Sequence, residues 1–372
     1  MGRKKIAIVF GTRPEIIKMA SIIKHCQKRG LDFFTIHSGQ HYSYEMDRIF
    51  LEQLGLPKPN YRLGVKSTAP FMQGLHTGRM MEAIEQIILK EKPTDVLVEG
   101  DTNTVLAGAL VTAKIRTVKQ LVDFTPRLGH VEACLRSYDK SMPEEMNRVV
   151  SDHLSDFLFA PTREAMANGL REGLDRKKIF VTGNTVVDAL KMVKKQVGKS
   201  PVMGELGLGK KGFALLTLHR QENVDVKKRL VSILKGIAVF SREKGIPVVW
   251  PMHPRAKKML SKFGITVPKE IRTLKPLGFL EFLSLEKNAA LALTDSGGVQ
   301  EETCVFGTPC VTLRENTERP ETVRVGANKI AGWKAENIRS AAEKMVARKK
   351  KWKQPFGSGR AGEKIIKVVL SH

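Results

Sequence analysis

The chain has 372 residues, which fits two domains of ordinary size better than one or three. Hydrophobic residues make up 42% and charged residues 27%, and no apolar run approaches the roughly 18 residues of a spanning helix, which excludes disordered, fibrous and membrane-spanning classes. The net charge of +25 indicates a possible polyanionic partner, but aromatic residues are only 6% and do not interleave with the basic clusters, so nucleic acid is not favoured.

Short apolar runs alternate with segments of helical period along the chain, which is typical of parallel α/β sheets. The predicted strands are residues 5–10, 32–37, 95–98, 156–160 and 179–182, followed by 213–218, 247–250, 271–274, 290–294 and 309–313. The predicted helices include residues 14–28, 79–91, 227–242, 335–349 and 361–370. We therefore predict two doubly wound domains: residues 1–184, with a C-terminal helix (357–372) packed back on them, and residues 185–356.

Four cysteines, at positions 26, 134, 304 and 310, show no C-x-x-C spacing. This pattern predicts reduced thiols and no metal site. The basic N-terminus precedes an apolar run that is too short for a signal peptide, so we expect a cytoplasmic protein.

Polar motifs follow several predicted strands, where doubly wound sheets bind their ligands. The turn Gly11-Thr12-Arg13 leads into a helix carrying Lys18, and its free backbone N–H groups with the Arg13 guanidinium predict an anion site or, equally, an ordinary helix cap. Asp101 follows the strand at 95–98 and is either a helix cap or an acid/base group.

Further carboxylates follow at Glu132 and Glu144, the latter four residues before Arg148 on a predicted helix. Such a pair often only supports a helix surface. Carboxylates gathered at adjacent strand ends would, however, raise one another's pKa, as proton transfer near neutral pH requires.

The second half of the chain carries motifs that are typical of nucleotide-binding sites. His219 at a strand end is either a phosphate partner or a packed histidine. The turn Ser296-Gly297-Gly298 at a helix start offers N–H donors to a diphosphate, and Glu302 one turn on can bind a ribose diol. Arg319 offers a further cation, and Phe282 either flanks a base or belongs to the core.

Together these motifs resemble one family, the non-hydrolysing UDP-N-acetylglucosamine 2-epimerases, across nearly the whole chain. The segments that carry the resemblance are FGTRPEIIKM (10–19), VEGDTNT (98–104), GHVEA (129–133), LRS (135–137), MPEEMNRVVSDH (142–153), FAPT (159–162), VTGNTVVDAL (181–190), TLHRQEN (217–223), LTDSGGVQEE (293–302) and ENTERPETV (315–323).

The resemblance implies a GT-B-like pair of Rossmann-like domains with the active site in the interdomain cleft, the first domain facing the sugar and the second binding UDP. The implied catalytic residues are Asp101, Glu132, Glu144 and His219. The implied substrate-binding residues are Arg13, Lys18, Phe282, Ser296, Gly297, Gly298, Glu302 and Arg319. Gln40 and His41 match a segment linked to allosteric UDP-sugar binding, and relatives are commonly homodimers.

The implied reaction is reversible conversion of UDP-GlcNAc to UDP-ManNAc at C2. UDP departs, a carboxylate removes the C2 proton to give 2-acetamidoglucal, and re-addition of UDP with protonation from the opposite face completes the epimerisation. Two faces require two acid/base groups. No cofactor is expected on this route.

The chain departs from the family pattern near Glu132. Cys134 stands where the family usually has Gly, and the link 114–128 before the GHVEA strand is longer than usual, so we expect both changes to adjoin Glu132; Ser358 replaces a usual Asp. The alternatives are a GT-B glycosyltransferase that uses a UDP-sugar and a catalytically impaired, polyanion-binding protein with the epimerase fold.

Overall fold

The computed structural model describes residues 4–39, 44–65, 72–348 and 351–372, with only the backbone at 44–47. The described chain forms two compact units, one comprising Met1–Met192 with Phe356–His372 and the other Val193–Pro355.

Strands and helices alternate through the first unit and into the second. In chain order they are β1 (Lys5–Phe10), α1 (Arg13–Lys28), β2 (Asp32–His37), α2 (Tyr44–Gln53), β3 (Tyr61–Arg62), α3 (Gln73–Glu91), β4 (Asp95–Glu99), α4 (Asn103–Thr117), β5 (Arg127–Val131), α5 (Pro143–Leu154), β6 (Phe157–Ala160), α6 (Arg163–Arg171), β7 (Ile179–Val181) and α7 (Thr185–Gly198).

The second unit continues with α8 (Val202–Glu205), β8 (Ala214–Thr217), α9 (Gln221–Val224), α10 (Lys227–Lys244), β9 (Val248–Pro251), α11 (Pro254–Phe263), β10 (Ile271–Leu274), α12 (Phe279–Asn288), β11 (Leu291–Thr294), α13 (Gly297–Phe306), β12 (Cys310–Thr312), α14 (Pro320–Arg324), β13 (Asn328–Ile330) and α15 (Ala335–Val346). The chain then returns to the first unit as α16 (Ala361–Ser371).

Each unit contains one parallel sheet, and the predicted α/β class is confirmed. Within the described residues the strand orders are β3-β2-β1-β4-β5-β6-β7 and β10-β9-β8-β11-β12-β13. In both sheets the order reverses beside the first strand of the unit, so the carboxyl ends of β1 and β4, and of β8 and β11, mark the expected ligand positions.

The central strands are apolar because both of their faces are covered by helices. Ile6 and Ile8 in β1 and Leu293 in β11 are fully buried, and Trp250 of β9 lies in the core of the second unit. Helix α16 packs on α1, where Gly362 faces Ser21 so closely that a Cβ would lie 3.0 Å from the Ser21 carbonyl carbon.

Several predicted boundaries shift for local reasons. The strand predicted at 156–160 begins at Phe157. The preceding Asp156 accepts with its carboxylate from the Leu128 backbone N–H at 2.8 Å and pairs with Arg116. The helix predicted at 79–91 begins six residues earlier, at Gln73. The short edge strands β3 and β13 were not predicted, since neither forms an apolar run.

The expectation that the long link 114–128 adjoins Glu132 is wrong. The link continues α4 to Thr117 and then turns on the surface, where Lys92 and Asp123 pair at 2.6 Å. It enters β5 at its amino end, whereas Glu132 follows the carboxyl end, about 16 Å along the strand.

Among the described residues, none of the helices combines the length and the apolar character needed to cross a bilayer.

Candidate active site

The turn after β1 is tied to the turn after β4 by Glu15. Its buried carboxylate accepts from the backbone N–H groups of Gly11 and Thr12 and from the Thr102 hydroxyl. Burial raises the pKa of Glu15 to about 7, although these hydrogen bonds oppose the rise. The expectation of free N–H groups at Gly11 and Thr12 is therefore wrong, because Glu15 occupies both; the neighbouring Arg13 guanidinium lies 5.4 Å from the Phe50 ring centroid.

Lys18 lies between two carboxylates at the ends of neighbouring strands. Its ammonium group contacts Glu132 directly and lies 3.5 Å from Glu99 Oε1, and all three side chains are buried. Burial raises the pKa of Glu99 well above its usual value, while the Lys18 charge opposes that rise. The predicted anion-binding lysine is thus held within a cluster of acids.

Glu132 is presented by a turn of unusual backbone conformation. Its φ is +65° and that of Cys134 is +66°, the left-handed region that favours glycine. The Glu132 carboxylate also accepts from Asn184 Nδ2 at 3.0 Å, and Cys134 adopts the glycine-like conformation with its backbone N–H bonded to Asp152 at 3.0 Å. The backbone at Cys134 therefore has the left-handed conformation that a glycine at this position would favour.

Asp101 lies beyond β4 with its side chain about a quarter exposed, and Arg148 Nε donates to it at 3.0 Å. Arg148, on α5, also pairs with Glu145, which accepts from the backbone N–H of Tyr138 at 2.8 Å. Glu144, in the first turn of the same helix, is half-buried. Asp101 and Glu144 therefore belong to elements joined through Arg148.

In the second unit, Asp295 organises the strand end that carries His219. The buried Asp295 carboxylate accepts from the backbone N–H groups of His219 and Arg220 and lies 3.1 Å from His219 Nδ1. Burial acts to raise the pKa of Asp295, but the His219 ring and these N–H donors outweigh it and hold the pKa below its usual value. With Nδ1 engaged, the partly exposed ring is oriented with Nε2 away from Asp295.

The turn Ser296-Gly297-Gly298 opens α13, with Ser296 as the N-cap residue. Arg319 packs against it, so that a Cβ on Gly297 would lie 2.9 Å from the guanidinium, whereas a Cβ on Gly298 would have no neighbour nearer than 3.9 Å. Arg319 is itself buried and donates to Glu301 Oε1 at 2.9 Å.

Glu302, the sixth of the ten residues of α13, is half-buried and lies beside the wholly buried Glu286 of α12. Burial, followed by the charge of Glu302, raises the pKa of Glu286 well above its usual value. Phe282, also on α12, is half-buried against Ala292, Val299 and Cys310.

The structure adds supporting residues that the motifs did not single out. Glu99, Asn184 and Asp295 each lie beside a predicted site residue, and each belongs to a quoted motif, so their positions next to strand ends were the available signal. Glu286 belongs to none and could not have been found in this way. Gln40 and His41 lie outside the described residues.

In the part of the chain that the structure describes, no three His, Cys, Asp or Glu side chains gather as metal ligands. The four cysteines are buried, and none of them forms a disulfide.

Comparison with known proteins identifies the family. The sequence model described as UDP-N-acetylglucosamine 2-epimerase matches residues 24–370. The chain is 49% identical to the UDP-N-acetylglucosamine 2-epimerase of Methanocaldococcus jannaschii, over 98% of both chains, and 40% identical to the UDP-2,3-diacetamido-2,3-dideoxy-D-glucuronate 2-epimerase of Pseudomonas aeruginosa, over 98% of this chain and 99% of that one.

A crystal structure of the M. jannaschii enzyme in complex with UDP-GlcNAc and UDP superposes with a TM-score of 0.91 at 48% identity, covering 99% of this chain and all of the other. The chain therefore belongs to the UDP-N-acetylglucosamine 2-epimerase family.

Proposed function

We propose that the protein is an isomerase that interconverts UDP-GlcNAc and UDP-ManNAc by inverting C2 of the sugar. The observation that carries the proposal is the acid cluster of the first unit: Asp101 and Glu132 follow the adjacent parallel strands β4 and β5, and Lys18 is paired with Glu132. Adjacent acids give the two proton-transfer groups that inversion requires.

In the proposed reaction, cleavage of the C1–oxygen bond makes the C2 proton acidic, and one carboxylate of Asp101, Glu132 and Glu144 removes it. A second delivers a proton to the opposite face of 2-acetamidoglucal as UDP adds back. The reaction balances, because the C1–oxygen and C2–hydrogen bonds that are broken in the elimination are both formed again when UDP and a proton add back.

The second unit is proposed to bind UDP. The Ser296-Gly297-Gly298 turn offers backbone N–H groups at a helix N-terminus to the diphosphate, and Glu302 binds the ribose hydroxyls. The His219 ring, held by Asp295, donates to the leaving diphosphate, while Arg13 and Arg319 contribute positive charge. Phe282 lies by the uracil ring.

Incubation with UDP-GlcNAc alone in deuterated water tests the proposal. UDP-ManNAc carrying deuterium at C2 is the expected product; absence of both product and label refutes the proposal. Turnover only with an added acceptor would instead indicate a glycosyltransferase, and a strong preference for a 2,3-diacetamido glucuronate sugar would place the chain with the P. aeruginosa relative.

Site variants separate chemistry from binding. We expect Asp101→Asn and Glu144→Gln to lose turnover while UDP affinity is retained, and Ser296→Ala and Glu302→Gln to weaken UDP binding. Unchanged rates in both carboxylate variants would contradict their assignment.

We further propose that the protein acts in the cytoplasm as a homodimer. Four buried cysteines outside any disulfide support a reducing compartment. Sedimentation velocity tests the oligomeric state, and a monomer at assay concentration would contradict the homodimer.

A further inference from the structure

His130 is a buried residue of β5 to which the reaction above gives no role. Its ring is fully buried and contacts two acceptors: Nδ1 lies 2.7 Å from Asp152 Oδ1, and Nε2 lies 2.8 Å from the Gly100 carbonyl oxygen. A carbonyl oxygen cannot donate, so Nε2 carries a proton. The Asp152 carboxylate accepts at Nδ1, so the geometry requires protons on both nitrogens.

The surrounding charges favour this imidazolium. Arg136 Nη1 donates to Asp152 Oδ2 at 2.7 Å, and its Nη2 pairs with Glu172 at 2.6 Å. The carboxylates of Asp152 and Glu172 therefore face one guanidinium, and a protonated His130 makes this group of four side chains neutral overall. Burial acts to raise the pKa of Asp152, but His130 and then Arg136 outweigh it, so the pKa is lowered and Asp152 stays ionised.

The two acceptors of His130 belong to the two turns that carry predicted catalytic acids. Gly100, immediately before Asp101, has φ +86°, and its backbone N–H donates to Val131 O at 3.1 Å while its carbonyl accepts from His130. Asp152 accepts from the backbone N–H of Cys134, two residues beyond Glu132. One His–Asp pair thus joins both turns.

We propose that His130 is a positioning residue which, as a doubly donating imidazolium paired with Asp152, fixes the turn of Asp101 relative to the turn of Glu132. This inference rests on the proposed function. A displacement of about 1 Å in a catalytic group can cost about 100-fold in rate, so loss of this joint is expected to reduce kcat rather than substrate binding.

The test compares His130→Leu, His130→Gln and the control His25→Gln, a half-buried histidine that bonds within its own helix α1. We expect His130→Leu to lower kcat about 100-fold, with KM and the UDP dissociation constant changed less than about threefold. Gln places an amide donor near the Nε2 position and should recover part of the loss. A kcat of His130→Leu within threefold of wild type would overturn the proposal, as would equal losses in all three variants.

Nitrogen-15 NMR of labelled wild-type protein gives a readout that does not depend on the variants folding, with the His130 ring signals identified through their correlations to the assigned backbone of His130. Two protonated ring nitrogens support the proposal; an unprotonated ring nitrogen overturns it. If wild-type protein shows the imidazolium but no epimerisation, the proposed function is refuted, while the connection of the two turns by the His130–Asp152 pair is not.

Discussion

The ammonium group of Lys18 faces the buried carboxylates of Glu99 and Glu132. Lys18 is buried with Glu99 and Glu132, and removal of one partner of a buried ion pair leaves a charge without compensation. We therefore expect Lys18→Met to lower the free energy of unfolding by about 3 kcal/mol, measured by urea denaturation. Lys28→Met, at an exposed position of the same helix, is the control; equal effects of the two would contradict the account.

Glu15 makes stability depend on pH. Its folded pKa of about 7 exceeds the usual 4.5, so the folded protein binds this proton more tightly than the unfolded chain. The Glu15 contribution is therefore most favourable at low pH and is lost as the pH rises from about 4.5 to about 7. Glu15→Gln cannot titrate, so the wild-type stability relative to this variant should fall by about 3 kcal/mol across that range.

The comparison is made by urea unfolding of both proteins at pH 4.5, 6 and 7.5. If the unfolding free energies of the two proteins changed with pH in parallel, Glu15 would not retain its proton in the folded state. Acids remote from Glu15 titrate alike in both proteins and cancel in the difference, whereas Glu99 does not cancel, because the charge of Glu15 acts on its pKa.

The sequence predicts which side chains lie at strand ends, but only some of the contacts that they make. The motifs identify Asp101, Glu132 and His219 as groups at strand ends, because strand ends are visible as the end of an apolar run. The contact of Glu15 with the Thr12 N–H has a sequence signal, the capping-box spacing from Thr12 to Glu15, whereas its contacts with Gly11 and with the distant Thr102 follow only from the folded structure.

At the element scale, the two glycines at the start of α13 have different surroundings, so that one tests packing and the other tests ligand binding. A Cβ on Gly297 meets the buried Arg319 at 2.9 Å, whereas a Cβ on Gly298 meets no atom closer than 3.9 Å. We expect Gly297→Ala to lower the free energy of unfolding by roughly 1–3 kcal/mol and Gly298→Ala to leave it unchanged. Both should weaken UDP binding at least about tenfold by titration calorimetry, Gly298→Ala because its methyl group occupies space needed by the diphosphate. Wild-type affinity in Gly298→Ala would exclude this turn as the diphosphate site.

The bounds of β1, β2 and β10 match the prediction. β1 and β2 are mostly buried strands that begin at a polar residue, whereas β10 matches although two of its four residues are exposed. The edge strands β3 and β13 have two and three residues and depend on pairing with a neighbouring strand, which no local pattern encodes.

For the whole molecule, the surplus of positive charge is larger than a nucleotide sugar needs. Residues 341–372 alone hold nine basic and two acidic side chains, outside the proposed UDP motifs. We expect the protein to bind heparin at low salt, to elute as salt rises, and not to elute with UDP at saturating concentration. Elution by UDP would show instead that the charge belongs to the nucleotide site.

The return of the chain to its first unit has a consequence for synthesis. Residues 193–355 form the second unit without interruption, but the first unit needs α16, whose Ile365 and Ile366 are fully buried. The ribosome makes that helix only after the whole second unit. Although it is encoded later, the second unit can therefore complete its fold first, while the first unit waits for its last helix with the α1 surface uncovered.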